Sequence, residues 1–187
     1  MRKLAQELGV EAMSLYNHVA NKDDILAGIV ELVSREIEPP PDDSEWKPAL
    51  RRSAISAHDA LLRHPWASSL RMGRRGANPT TMQHADAILR TLRRAGFSPD
   101  LTYHAFHTLQ SHVSGFTLQE LNFPYDADRL KKMATRFLRD FPTDEYPDLA
   151  EHVRQHIEPR DEHKGTFEFG LDLILDGLER LRDAPNG

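Results

Sequence analysis

Ser14, Tyr16, Asn17 and His18 stand together in a single short segment. Two hydroxyls, an amide and an imidazole can both donate and accept hydrogen bonds. Leu15 and Val19, four residues apart, mark the opposite, apolar side of the same helix. Upstream, Leu4, Ala5 and Leu8 fall on one face of an earlier helix, and Gly9 follows where the chain must bend tightly. Two short helices broken by a glycine, the second with polar and aromatic groups on its free face, suit a helix-turn-helix. That motif lays its second helix in a DNA major groove. A helical hairpin whose Tyr16 and His18 are ordinary surface residues is the competing reading.

Other chemistry is weaker. His104 and His107 are three apart, and His152 and His156 four apart, so each pair can share one side of a helix. Neither pair has a third ligand at fixed spacing, and zinc sites use three or four. Structural or surface histidines are the preferred reading, and no metal site is assigned. A helical metal-dependent hydrolase built on His104, His107 and Glu120 is the enzyme alternative. No phosphate loop, nucleophile elbow or zinc-protease motif is present, so the chain is read as a non-enzyme with no cofactor.

The 187 residues suit one domain, or a small head on a larger body. The absence of cysteine excludes disulfides, thiolate metal sites and a cysteine nucleophile, and fits a reducing cytoplasm. No apolar run reaches membrane-spanning length and no signal peptide opens the chain, so no membrane partner is expected. A net charge of -5 argues against nonspecific polyanion binding. Arginines gather between Arg51 and Arg94, where solvated helix faces are preferred over an anion-binding patch.

The elements that would carry these groups are almost all helical. Asn21 caps a connector helix with Asp23 and Asp24 in its first turn. Its apolar pattern runs through Ile25, Leu26, Ile29, Leu32, Val33 and Ile37, and Pro39-Pro40-Pro41 ends it. Ser44 is expected to cap a helix to about His64, with Trp46, Leu50, Ala54, Ala57 and Leu61 inward. A short helix over Trp66–Met72 follows. Asn78-Pro79 and Ser98-Pro99 each read as a cap with proline at the first helical position. They start helices ending at Gly96 and at about Leu121. Weaker helices cover Arg129–Asp140 and Tyr146–Ile157, and a last one about His163–Leu181.

In the last helix Phe167, Leu171, Ile174, Leu178 and Leu181 recur at spacings of four and three, with Gly170 and Gly177 beside them. The helix from Pro99 carries Leu101, Ala105, Leu109, Val113 and Phe116. These stripes suit either a four-helix interface between two copies or packing within one subunit.

The string Leu4-Ala5, Leu8-Gly9-Val10, Leu15-Tyr16, His18-Val19, Asn21-Lys22 resembles the TetR family of bacterial transcriptional regulators, its tetracycline-repressor branch above all. Gly96-Phe97-Ser98, Phe169-Gly170-Leu171 and Gly177-Leu178-Glu179 extend the resemblance to the body. It implies an all-α fold: a helix-turn-helix region with connector over residues 1–38, and a ligand-binding and dimerisation domain over residues 44–183. It implies a cytoplasmic homodimeric repressor that binds operator DNA and a small-molecule effector. It shifts the choice between the two packings of the stripes toward a dimer. The dimer residues so implied are Leu101, Leu109, Val113, Phe167, Gly170, Leu171, Ile174, Gly177 and Leu178.

Carried over by position, DNA contacts fall on Arg2, Ala12, Met13, Ser14, Tyr16, Asn17, His18 and Lys22. Lys22 would meet phosphate and Arg2 a guanine edge. Ala12 and Met13 depart from the branch pattern and imply a different operator. Candidate effector contacts are Trp66, Met72, Phe106, His107, Leu109, His112 and Phe116. Arg71 and Glu38 replace imidazoles of the tetracycline site, so magnesium-tetracycline is not the expected ligand, although His112 and Glu120 match pocket positions. The chain opens inside what would be the second helix of the reading unit. The first helix is therefore expected to be absent, through a misassigned start, an engineered shortening or a natural truncation, and DNA binding by the chain as written to be weak. A small-molecule-binding helical dimer without DNA activity is the alternative.

Overall fold

The computed structural model describes residues 1–42, 45–67, 78–123, 127–157 and 165–184. Among the described residues there are helices and no strand, nine of the helices lying wholly within the described residues. The head holds α1 (Arg2–Glu7) and α2 (Ala12–Tyr16). Gly9, with φ of 66°, makes the bend in the left-handed conformation that glycine adopts without strain. The connector α3 (Lys22–Arg35) starts at Asn21, whose side chain accepts a hydrogen bond from the Asp24 N–H at 3.0 Å. Asp23 and Asp24 then lie in the first turn, where the helix dipole favours acids.

The body is built on α4 (Trp46–Arg63), α5 (Pro79–Arg94), α6 (Pro99–Asn122) and α9 (Thr166–Asp183). Asn78 and Ser98 cap α5 and α6 by accepting from the N–H groups of Thr81 and Leu101. Each is followed by proline, whose missing N–H costs nothing there. Gly96 (φ 89°) turns the chain between them, and Phe97 enters the core. One apolar cluster joins Trp46, Leu50 and Leu61 of α4 to Leu92 of α5, Leu109 of α6 and Leu171 of α9. Phe97 meets the Trp46 ring edge-on at 5.0 Å.

Ion pairs set the register of α4 on α9. Arg51 holds Glu168 and Asp172, and Lys47 holds Asp176 and Glu179. These pairs are half exposed, so each contributes little stability. The hydrogen bonds that Arg51 donates to Asp172 and Lys47 to Asp176 lead in raising the pKa values of these two cations above their ordinary positions.

A hairpin of α7 (Ala127–Asp140) and α8 (Pro147–Arg154) joins α6 to α9. It packs on itself, through the buried Ala134 and Ala150, and on no other described helix.

Several sequence expectations shift. Leu4 and Leu8 do not fill a head core: Ala5 is buried at 2%, while Leu8 is 59% exposed. On the connector Val30 and Val33 face inward and Leu32 does not. Glu45 is the N-cap of α4, and Ser44 lies outside the described residues. The eighth helix is one turn shorter than expected, because residues after Arg154 form turns. Most of the short helix expected over Trp66–Met72 lies outside the described residues. None of the described helices is long and apolar enough to cross a membrane.

Candidate effector cavity, reading head and pairing face

A small cavity lies where α4, α5 and α6 meet. Leu50, Ala54, Ala57, Ile88, Leu109 and Val113 give it apolar walls, and Ser53, His84 and Gln110 supply hydrogen-bonding groups. Ser53 Oγ and His84 Nε2 are 3.4 Å apart across it. Its volume is about 20 Å³, room for about one water. A drug-sized ligand needs roughly 300–1,000 Å³, so occupancy requires these helices to separate.

The same α4 also holds the connector. Ser56 Oγ accepts the Glu38 N–H at 2.9 Å. At the end of α4, Arg63 Nη2 donates to Glu36 Oε2 at 3.1 Å, and His64 Nε2 lies 2.9 Å from Glu36 Oε1. The Arg63 hydrogen bond, outweighing partial burial, holds the Glu36 carboxyl below the ordinary carboxylate range. On α5, Thr80 Oγ1 donates to Glu31 of the connector at 3.4 Å.

Of the described residues among those predicted to bind an effector, Leu109 lines this cavity and the others do not. Phe106 and Phe116 are partly buried against the core. His107 is exposed beside Tyr103, with ring centroids 4.5 Å apart. Trp66 is 44% exposed against His64. Met72 and Arg71 lie outside the described residues. His112 Nε2 donates to the Phe167 carbonyl at 3.0 Å. Leu50, Ala54, Ala57, Ile88 and Val113 are legible in the sequence only as apolar stripe positions, and Ser53, His84 and Gln110 carry no sequence signal beyond lying on the same helices.

In the head, Met13 is 73% exposed and Tyr16 46%. Asn17, His18 and Lys22 are also exposed, Ser14 is half-buried, and Arg2 and Ala12 belong to α1 and α2. The Ser14–His18 segment therefore has a free polar face, as a groove-reading helix needs.

The stripe expected to meet a partner packs within the chain. Phe167, Leu171 and Leu178 are buried with Leu109 and Val113 in the subunit core, and Leu101 and Ile174 pack against it. Gly170 serves this internal packing: a Cβ there would stand 2.8 Å from His112 Cε1. Gly177 has open space instead. The apolar side chains that α9 leaves outward are Phe169, Leu173 and Leu181, 55%, 56% and 60% exposed. They fall with Gly177 at spacings of four.

His104 is exposed, 3.8 Å from Asp100, and the His152 and His156 rings are 5.5 Å apart. Among the described residues no three His, Asp or Glu converge as metal ligands.

A helical head, a connector and a body whose cavity wall grips that connector define a one-component regulator. Residues 38–182 match the family model described as tetracyclin repressor-like, C-terminal domain. The chain is 30% identical to the tetracycline repressor protein class G of Vibrio anguillarum, covering 98% of this chain and 85% of that one. It is 30% identical to the HTH-type transcriptional repressor DrrR1 of Streptomyces coeruleorubidus, covering 97% and 70%. Its fold is similar to the crystal structure of the Streptomyces coelicolor TetR family protein ActR in complex with actinorhodin. That match has a TM-score of 0.78 at 26% identity, over 98% of this chain and 88% of that one. The chain belongs to the TetR family. It is a ligand-responsive transcriptional regulator and not an enzyme.

Proposed function

We propose that the chain represses transcription in the cytoplasm as a homodimer that releases operator DNA when an effector enters the α4–α5–α6 cavity. Residues 1–38 read the operator and residues 44–183 bind the effector and pair the subunits. One observation carries this reading: α4 supplies Leu50, Ser53, Ala54 and Ala57 to the cavity and Ser56, Arg63 and His64 to the connector. A ligand that forces α4 from α5 and α6 moves the groups that hold α3. It then favours one arrangement of the heads through its differential affinity for two states.

Phe169, Leu173, Gly177 and Leu181 supply the pairing face in this reading, since Phe167, Leu171 and Leu178 are used internally. Two-fold pairing places two reading helices on successive major-groove faces. Tyr16, His18 and Lys22 fix the docking by phosphate contacts, while Arg2, Ala12, Met13, Ser14 and Asn17 lie toward the bases. The effector is a largely apolar compound with a few hydrogen-bonding groups, matching Ser53, His84 and Gln110 among aliphatic walls. Actinorhodin, named in the ActR complex, is therefore a trial compound for this site.

The test compares the chain with an Ala57→Val variant, whose two added methyl groups occupy the cavity. Minocycline and actinorhodin serve as trial effectors in an operator mobility shift. The reading expects a trial compound to release DNA from the parent and leave the variant bound. Equal release from both would overturn the cavity assignment.

A further inference from the structure

His58 is a buried titratable group outside the cavity and the head, 6% exposed. Its ring lies flat on Phe167, with centroids 3.9 Å apart and planes 7° from parallel. His112 stacks on the same phenyl ring at 4.9 Å, and Phe116 meets Phe167 edge-on at 5.5 Å. Three helices thus join here: α4 through His58, α6 through His112 and Phe116, α9 through Phe167. His112 can come this close because Gly170 has no Cβ.

Hydrogen-bond accounting fixes the state of the His58 ring. The Thr117 hydroxyl donates to the Val113 carbonyl at 2.6 Å. Its one hydrogen is spent, so at 2.8 Å it accepts from His58 Nδ1. Nδ1 therefore carries the hydrogen of the neutral ring, and an added proton can go only to Nε2. Glu120 Oε2 lies 3.3 Å from Nε2, on a side chain 46% exposed at the rim of the joint. The other charged or titratable groups bearing on His58 are Asp59 of α4 and His112 of α6. From α9, Glu168 is held by Arg51.

We propose that His58 is a proton-responsive latch that holds the first turn of α9 against α4 when neutral and releases it when protonated. A neutral imidazole can stay stacked between aromatic rings. An imidazolium there is desolvated, while Glu120 and water lie outward. Protonation puts a charge on a ring held out of water, with only the half-exposed Glu120 carboxylate at the rim to offset it, so the stack on Phe167 weakens and α9 is held less firmly beside the residues that face outward. Burial, the larger influence, pushes the His58 pKa below its ordinary value despite the opposing pull of Glu120. The sign agrees: a depressed histidine favours the closed joint at high pH and loses that advantage as pH falls below the ordinary 6.5. The latch needs no effector.

The test uses the full chain with 15N-labelled histidine. Ring-nitrogen shifts should show the Nδ1–H tautomer of His58 at pH 8 and a midpoint below that of free histidine. Hydrogen exchange of amides 168–171, corrected for intrinsic rates, should accelerate on acidification, by a factor set by how far the measured His58 midpoint lies below that of free histidine. Glu120→Gln should move the His58 midpoint further down, and His58→Gln should remove the pH dependence of exchange. An Nε2–H tautomer, exchange in the parent that ignores pH, or an acid response surviving His58→Gln would overturn the latch. The tautomer and Glu120→Gln measurements decide the matter even if His58→Gln fails to fold.

Discussion

The Glu36 carboxylate, just past the end of the connector, lies 2.9 Å from His64 Nε2 at the end of α4. Arg63 binds the other oxygen of the same carboxylate. A helix that walls the cavity therefore ends on the helix that carries the head.

Replacing Glu36 with Gln should cause a small loss of thermal stability at neutral pH. Its folded-state pKa is lowered from the ordinary 4.5, chiefly by Arg63. The contribution is complete above the unfolded value and disappears as pH falls through the folded one. Melting curves of parent and Glu36→Gln should differ at pH 7 and converge as pH falls below the ordinary carboxylate range. A constant difference across that range would mean that Glu36 acts by packing and not by charge.

Leu109→Ala should destabilise the body by about 2–5 kcal/mol, because Leu109 is 5% exposed and its removal enlarges a cavity it already lines. Urea unfolding measures this. The enlarged site should also accept bulkier trial effectors. A loss below about 1 kcal/mol would indicate collapse of the surrounding helices.

Gly170→Ala should cost about 1–3 kcal/mol by overpacking, since the new methyl group would meet His112 Cε1 at 2.8 Å. The double variant Gly170→Ala, His112→Ala should recover much of that loss. A double-mutant cycle showing strict additivity would remove the steric explanation.

Lys22→Ala should weaken binding to all DNA sequences alike and reduce the slope of log affinity against log salt by about one. Its thermal stability should be unchanged, because Lys22 is exposed. An unaltered salt slope would take Lys22 off the phosphate backbone.

Much of the fold is written locally. Asn21, Asn78 and Ser98 cap as their positions suggest, since capping depends on a few neighbouring atoms. Gly9 and Gly96 mark real left-handed turns. The last helix shows the limit of periodicity. It carries two apolar stripes, one through Phe167, Leu171 and Leu178, the other through Phe169, Leu173 and Leu181. The sequence reading names only the first and counts Leu181 in it, whereas Leu181 is exposed with Phe169 and Leu173; which face is inward depends on the distant Leu50, Leu109 and Val113. The cavity was harder to read for the same reason. Ser53, His84 and Gln110 come from three helices, and nothing in their local sequence announces that they converge.

The central claim is that residues 1–22 read DNA as one half of a two-fold pair. Selection from randomised duplexes by the purified protein, at low salt so that weak binding is retained, tests it most directly, with Leu173→Glu as the variant that cannot pair. The account predicts enrichment of an inverted repeat whose half-sites are about one helical turn apart, and loss of that enrichment in Leu173→Glu. Enrichment of no sequence, or of one asymmetric site bound equally by the variant, would contradict it.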